Sequence, residues 1–393
     1  MRLLMISSEF PPGPGGIGTH AWQLCKEFHR LGHEVTVMTP QDYADERQIQ
    51  AFNAKQPFAM GRLSSMQGAV RGTIGRWRMV VKETRRFQPD MLIGTGDRMA
   101  YLTAGLAKWC GIPWIAVEHG RWPSVWETAI KKRAFSVANG TVCVSQYSLD
   151  RLLEMGTKPR QSIVIHNGAD HEVYRLLPPS EVEAVRRELS PSDGRWFMTV
   201  GTLSDRKAQD TVIRALPDIL KHIPNAQYLC VGLPNIKDRL LALADELGVR
   251  KHVHLAGALP TGQVVGLLNA VELFVLNSRR TADEWEGFGV AVVEAALCGK
   301  AAVVSKDSGL AEAIVDGVTG VGVPQNNPSA TAAAIVGMLG DPEKCRKMGE
   351  TARAQAIAGR TWSQAAEKYV TFLRRCHPNA PADMEAGASA AAR

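Results

Sequence analysis

Cysteine is sparse in this chain of 393 residues: seven in all, at 25, 110, 143, 230, 298, 345 and 376, and none in a C-x-x-C pair. That scatter through apolar segments argues against a disulfide framework or a zinc site, and fits reduced thiols in the cytosol. Long apolar runs are also missing. None approaches the ~18 residues that a membrane helix needs. The N-terminal Met1-Arg-Leu-Leu-Met-Ile-Ser-Ser8 is too short for a signal peptide and continues into a strand pattern, so no export is expected. No recognised nucleic-acid motif is present, and nucleic acid is not an expected partner. What remains, 45% hydrophobic and 22% charged, is the composition of a globular enzyme too long for a single core.

Net charge is absent from one half and concentrated in the other. Up to Arg175 there are 22 Lys and Arg against 15 Asp and Glu, and beyond it 24 of each. The excess is densest from Arg62 to Arg86, where Arg62, Arg71, Arg76, Arg78, Lys82, Arg85 and Arg86 face a single acid, Glu83. Trp77, Met79, Val80, Val81 and Phe87 are interleaved with them. One reading is a solvated basic helix face. The sharper one is a surface for an anionic membrane or a phosphorylated lipid, with Arg76, Arg78, Arg85 and Arg86 as its contacts.

Short apolar runs alternate with helical patterns throughout. Strands are expected at Arg2 to Ser8, Glu34 to Met38, Met91 to Ile93, Trp114 to Glu118, Thr141 to Val144 and Ser162 to His166. Thr19 can cap a helix from Ala21 to Leu31. The pattern restarts at Phe197 to Val200 and continues at Gln227 to Val231, His252 to Leu255, Leu273 to Leu276 and Ala301 to Val304. This predicts an α/β protein of two doubly wound, Rossmann-like domains with parallel sheets covered on both faces. Their expected extents are 1–172 and 173–361. A final helix over about 362–376 is expected to pack back on the first domain, and 378–393 to form a disordered tail.

The densest chemistry lies in Glu286-Gly-Phe-Gly-Val-Ala-Val-Val-Glu294. A strand, a glycine-bearing turn and a helix N-terminus make an anion site, because the first amides of a helix have no internal partners. A carboxylate stands on each side of it, so an anionic ligand carrying hydroxyls, such as a nucleotide sugar, would use both features. Alone, Glu294 could simply favour the helix dipole by ~0.3–1 kcal/mol.

Three further segments lie where open α/β sheets place ligands, at the carboxyl ends of strands. Gly15-Gly16-Ile-Gly18 could admit a phosphate close to the backbone, although its spacing departs from the dinucleotide G-x-G-x-x-G. Arg206 and Lys207, after Val200-Gly201, could neutralise a departing diphosphate. Two cations at a helix start oppose its dipole, so an anionic partner is expected beside them. His119 follows the strand ending at Glu118. A structural histidine is the plainer reading for it alone.

In this order, these residues resemble family GT4, retaining glycosyltransferases of the two-Rossmann-domain GT-B type. The resemblance runs from Met1 to about Arg375. Gly13 to Gly18, Leu31-Gly-His-Glu-Val-Thr-Val37, Val144-Ser145, Val164-Ile-His-Asn-Gly-Ala-Asp170, Val200-Gly201, Arg206-Lys207, Glu286 to Glu294 and Glu312 to Gly320 carry it. It implies two domains facing across a cleft and transfer of a sugar from a nucleotide-diphosphate sugar with retained stereochemistry and no cofactor or bound metal.

By the same resemblance Glu294 holds the ribose, and Glu286 contacts the transferred sugar. Gly287, Phe288 and Gly289 offer backbone to the donor, and Arg206 and Lys207 hold the diphosphate beside Gly201. Gly16 would approach from the other domain, and His119 would touch the sugar beside its anomeric carbon. Departures occur at Thr202, His166 and Ser308-Gly309-Leu310. With the charge asymmetry, the implied acceptor is a glycan or lipid-linked precursor of cell-envelope polysaccharide. The implied location is cytoplasmic, peripheral at the inner membrane face. Two alternatives stay open: a nucleotide-sugar epimerase on the same fold, and a non-catalytic partner subunit that binds nucleotide sugar.

Overall fold

The computed structural model describes residues 1–13, 15–40, 44–63, 70–121, 124–189 and 193–378, with the side chains of 70–73, 125 and 126 excepted. Pro14 of the glycine-rich loop, the Arg71 side chain and the expected tail from Asn379 lie outside these residues. The chain divides into two compact units, Met1–Asn167 together with the segment from Trp362, and Gly168–Thr361. The first boundary falls between Asn167 and Gly168, slightly ahead of residue 172.

Seven parallel strands build the first sheet: β1 (Arg2–Ser7), β2 (Glu34–Pro40), β3 (Ala59–Leu63), β4 (Met91–Thr95), β5 (Trp114–Glu118), β6 (Gly140–Cys143) and β7 (Ser162–Val164). Their order is β3-β2-β1-β4-β5-β6-β7. The inner strands are buried along their length, as at β4 and β5, where all five residues of each are inaccessible. That burial is why they read as continuous apolar runs rather than alternating ones. The helix Trp362–Cys376 belongs to this unit. Its Tyr369 hydroxyl lies 3.1 Å from His20 Nε2, and its Trp362 and Tyr369 rings meet the His20 ring edge-on.

The second sheet has six strands: β8 (Arg195–Val200), β9 (Ala226–Val231), β10 (Val253–Gly257), β11 (Leu273–Leu276), β12 (Ala302–Ser305) and β13 (Gly320–Val323). They run β10-β9-β8-β11-β12-β13, all parallel. Phe197 and Tyr228 stack at 5.1 Å within its core, and the Tyr228 hydroxyl finds Thr199 Oγ1 at 2.8 Å. A buried phenol needs such a partner. In each sheet the strand order reverses next to the first strand of the unit, between β1 and β4 and between β8 and β11. Crevices at such reversals, beyond the carboxyl ends, are where ligands bind.

Two elements differ from the sequence reading for physical reasons. The first helix runs Gly16–Arg30, and Gly15 rather than Thr19 is its cap; Thr19 sits inside it, donating its hydroxyl to Gly15 O at 3.1 Å. Glycines are tolerated in a first turn whose amides have no intrahelical acceptors. Strands β3 and β13 gave no apolar run because both are sheet edges containing glycine, with sequences AMGRL and GVGV.

Candidate active site

In the second unit the site grows from three loops at the carboxyl ends of β8, β11 and β12. After β8, Gly201 adopts φ +149, and the Lys207 stem lies where a β-carbon on Gly201 would stand, 3.2 Å from Lys207 Cε. The turn then carries Arg206 and Lys207 into the N-terminus of the helix Gln209–His222. After β11 the chain reaches Ser278, and the next loop brings Glu286 to it: Ser278 Oγ donates to Glu286 Oε2 at 3.1 Å. Lys207 Nζ donates to the same oxygen at 2.8 Å, and Arg206 Nη1 at 2.5 Å. Arg206 also gives its Nε to Glu284 at 3.1 Å. The anionic partner that the two cations called for is thus supplied by the chain itself.

The energetics of this knot follow from burial. Desolvation pushes the Glu286 carboxyl up, but Lys207 and Arg206 outweigh it and hold the group at about 2, so it is ionised. Lys207 moves the other way: burial lowers its ammonium below the ordinary lysine value, and Glu286 only partly restores it. Three charged groups share a largely enclosed site, each stable through the others.

Gly289, with φ +81, caps the helix Val290–Leu297, and a β-carbon there would stand 2.1 Å from Leu310 Cδ2. Gly309 is tighter still. A β-carbon on it would stand 1.9 Å from the carbonyl oxygen of Gly287, while its amide donates to Glu286 O at 3.0 Å. The Ser308-Gly309-Leu310 segment, whose role the sequence left open, therefore backs the Glu286–Gly287 main chain. Phe288 is buried, with the Arg360 guanidinium 5.2 Å over its ring.

Glu294 lies one turn into the helix. Desolvation raises its carboxyl to about 7, against the pull of a hydrogen bond from Tyr174 and of Lys207. Tyr174 was not anticipated. Nothing in the sequence near Asp170 indicates that a phenol there reaches a carboxylate so far along the chain.

In the first unit His119 Nε2 lies 2.7 Å from Thr95 Oγ1, bridging the ends of β4 and β5. Burial, and secondarily Lys131, lowers the imidazole to about 3, so it is neutral at physiological pH. The His20 ring meets it edge-on at 4.7 Å. Gly16 is the exposed first residue of its helix, with nothing within 4 Å of where a β-carbon would be. Beneath His119 lies a cluster that sequence reasoning missed: Lys131 Nζ is 2.8 Å from Glu118 Oε2 and 3.1 Å from Asp97 Oδ1. Only the C-terminal place of Glu118 in a buried strand could have signalled it. No group of three or more His, Cys, Asp or Glu suited to a metal ion occurs among the described residues.

The basic stretch needs correction. Arg78, Arg85 and Arg86 are exposed on the helix Val70–Phe87, but Arg76 is buried at 4% exposure. It falls on the inward stripe with Val80 and Thr84, at the spacing of one helix face, so it cannot meet a membrane. Arg86 is tied to Glu83 at 2.6 Å. Arg62 is not on this helix at all: it is in β3, stacked over Phe10 and Phe52 and donating to Pro11 O at 2.7 Å. No described helix is long and apolar enough to cross a membrane.

Comparison with known proteins bears on the family and the fold. Residues 14–173 match the model for Glycosyltransferase Family 4, and residues 181–355 the model for Glycosyl transferases group 1. A GDP-mannose-dependent α-(1-6)-phosphatidylinositol monomannoside mannosyltransferase of Mycolicibacterium smegmatis is 27% identical over 92% of this chain and 93% of its own. A glycogen synthase of Mycobacterium tuberculosis is 25% identical over 93% and 92%. Among solved structures, Anabaena HepE in complex with UDP and glucose superposes with a TM-score of 0.82 at 20% identity, covering 95% of this chain and 99% of that one. The two Rossmann-like units, their family matches and these relatives agree: the chain is a GT4-type glycosyltransferase of GT-B fold.

Proposed function

We propose that this glycosyltransferase moves a sugar from a nucleotide-diphosphate sugar to a hydroxyl of a glycan or lipid-linked precursor, with retention and without a bound metal. The observation that carries the reading is the convergence of Arg206 and Lys207 on Glu286, in the loop that leads into the Val290–Leu297 helix. When the bond between the anomeric carbon and the diphosphate breaks, both electrons leave with the diphosphate. The two cations and the helix amides stabilise that charge in a desolvated site, taking the place of a metal. The acceptor oxygen then bonds to the anomeric carbon and passes its proton to the departing diphosphate. Glu286 faces the developing positive charge on the sugar, Glu294 accepts from the ribose hydroxyls, and Gly201, Gly287, Phe288 and Gly289 offer backbone to the donor. By resemblance, His119, neutral, is assigned to the sugar and Gly16 to the diphosphate.

The acceptor side rests on charge and on relatives. Arg78, Arg85 and Arg86 give the first unit an exposed basic helix suited to an anionic membrane surface. The mannosyltransferase of M. smegmatis is named for a phosphatidylinositol mannoside acceptor. A cytoplasmic enzyme, peripheral at the inner membrane face and acting in envelope polysaccharide synthesis, fits both. A thermal-shift screen against UDP-, GDP-, ADP- and dTDP-sugars tests the donor side. Ligand at ~100 Kd contributes ~2.7 kcal/mol to stability, so the correct nucleotide class gives a clear shift. No shift with any class, in a folded sample, contradicts the proposal.

A further inference from the structure

We infer that Lys131, with Glu118 and Asp97, is a positioning group that fixes the loop carrying His119. The inference rests on the proposed contact between His119 and the donor sugar. Lys131, in the helix Val125–Val137, and Glu118 are both fully inaccessible, and Asp97 is nearly so. Burying two carboxylates and one ammonium is expensive, and apolar residues of the same volume often stabilise a core as well or better. A role for the cluster is therefore to be sought in what it holds.

Two of its arms end on the turn that follows His119. Glu118 immediately precedes the histidine, and its Oε1 accepts from the amides of Gly120 and Arg121 at 3.0 and 3.4 Å. Lys131 donates to the Arg121 carbonyl at 2.8 Å. Donors and acceptor of the turn are thus taken by the same ion pair, across Gly120, whose φ of +111 leaves that backbone otherwise permissive. The third arm reaches Asp97, two residues beyond Thr95, and Thr95 Oγ1 is the atom 2.7 Å from His119 Nε2. One ammonium thereby sets both the loop that carries the ring and the strand end that meets it. An error of about 1 Å in a group beside a reacting centre costs roughly 10²-fold in rate, so such bracing has a kinetic consequence.

The test uses full-length protein labelled with 15N at histidine, the His119 ring signals being assigned by comparison with His119→Ala. Lys131→Met should move those signals and lower nucleoside-diphosphate release from GDP-mannose or UDP-glucose roughly 10²-fold in kcat, with KM for the nucleotide sugar little changed. Combined with His119→Ala it should cost little more than His119→Ala alone, as expected for residues acting as one unit. Should Lys131→Met fail to fold, Glu118→Gln decides, since it keeps an oxygen for the two amides while removing the charge that Lys131 pairs with. It should shift the His119 ring signals likewise. A folded variant of either kind with unchanged His119 signals overturns the inference. Full turnover in His119→Ala would remove the proposed donor contact instead, leaving the ring-signal test standing.

Discussion

Lys207 Nζ and Glu286 Oε2, separated by 79 positions in sequence, stand 2.8 Å apart in a desolvated site, and Arg206 shares the same carboxylate oxygen. Glu286 thus engages both cations through one carboxylate oxygen. Under the proposed function, a diphosphate bound by Arg206 and Lys207 shares them with Glu286, the carboxylate assigned to the transferred sugar.

Replacing Lys207 by Ala removes half of that charge while Arg206 still neutralises Glu286. Turnover should fall about 10²-fold or more, the scale of losing one preorganised charge stabiliser, with the fold retained. Steady-state kinetics beside a melting curve check this. Near-wild-type kcat would count against the assigned role.

Glu286 and Glu294 give opposite pH signatures. Glu286 is held at about 2, below its ordinary 4.5, so its contribution to stability is present above pH 4.5 and lost as pH falls towards 2. Glu294 is raised from 4.5 to about 7, so the folded state holds a proton that the unfolded state releases, and stability declines as pH rises across that window. Glu294→Gln should flatten the decline. Urea midpoints at pH 5 and pH 8 measure it, and an unchanged slope would refute the assignment.

Ribose hydroxyls donating to Glu294 favour its ionised form, so donor binding near pH 7 should release protons. Calorimetric titrations in buffers of differing ionisation enthalpy read that release directly. Binding heats independent of buffer would mean that Glu294 does not meet the donor.

Gly309→Ala sets a methyl against the Gly287 carbonyl, where only 1.9 Å is available. Overpacking of this kind costs about 1–3 kcal/mol. Because the displaced backbone belongs to the Glu286 loop, donor affinity should fall as well as melting temperature. A loss of stability without loss of affinity would separate the loop from the site.

Charge reversal at Arg78, Arg85 and Arg86 together should abolish binding to anionic vesicles and leave the melting temperature within a degree or two. Arg76→Glu should instead destabilise the first unit, being a buried substitution. Co-sedimentation with vesicles of rising phosphatidylserine content distinguishes the two, and unchanged binding of the triple variant would remove the basic helix from the account.

The doubly wound architecture was legible because buried parallel strands write themselves as apolar runs, and the cation pair was legible because Arg206 and Lys207 oppose a helix dipole. The edge strands β3 and β13 were not, since edges need neither bulk nor continuity. Contacts between residues remote in sequence escaped as well. Tyr174 against Glu294, Lys131 against Glu118 and Asp97, and Gly309 against Gly287 are consequences of folding that no local pattern records. Arg76 misled for a related reason: composition counts charges, but only helix phase says which of them point inward.

The central claim is that Arg206 and Lys207 are the diphosphate site. Titration of the wild type and Lys207→Ala with a nucleoside diphosphate and with its parent nucleoside tests it most directly. The account predicts that the substitution weakens the diphosphate at least tenfold and leaves the nucleoside unchanged. Equal diphosphate affinity in the two proteins would contradict it.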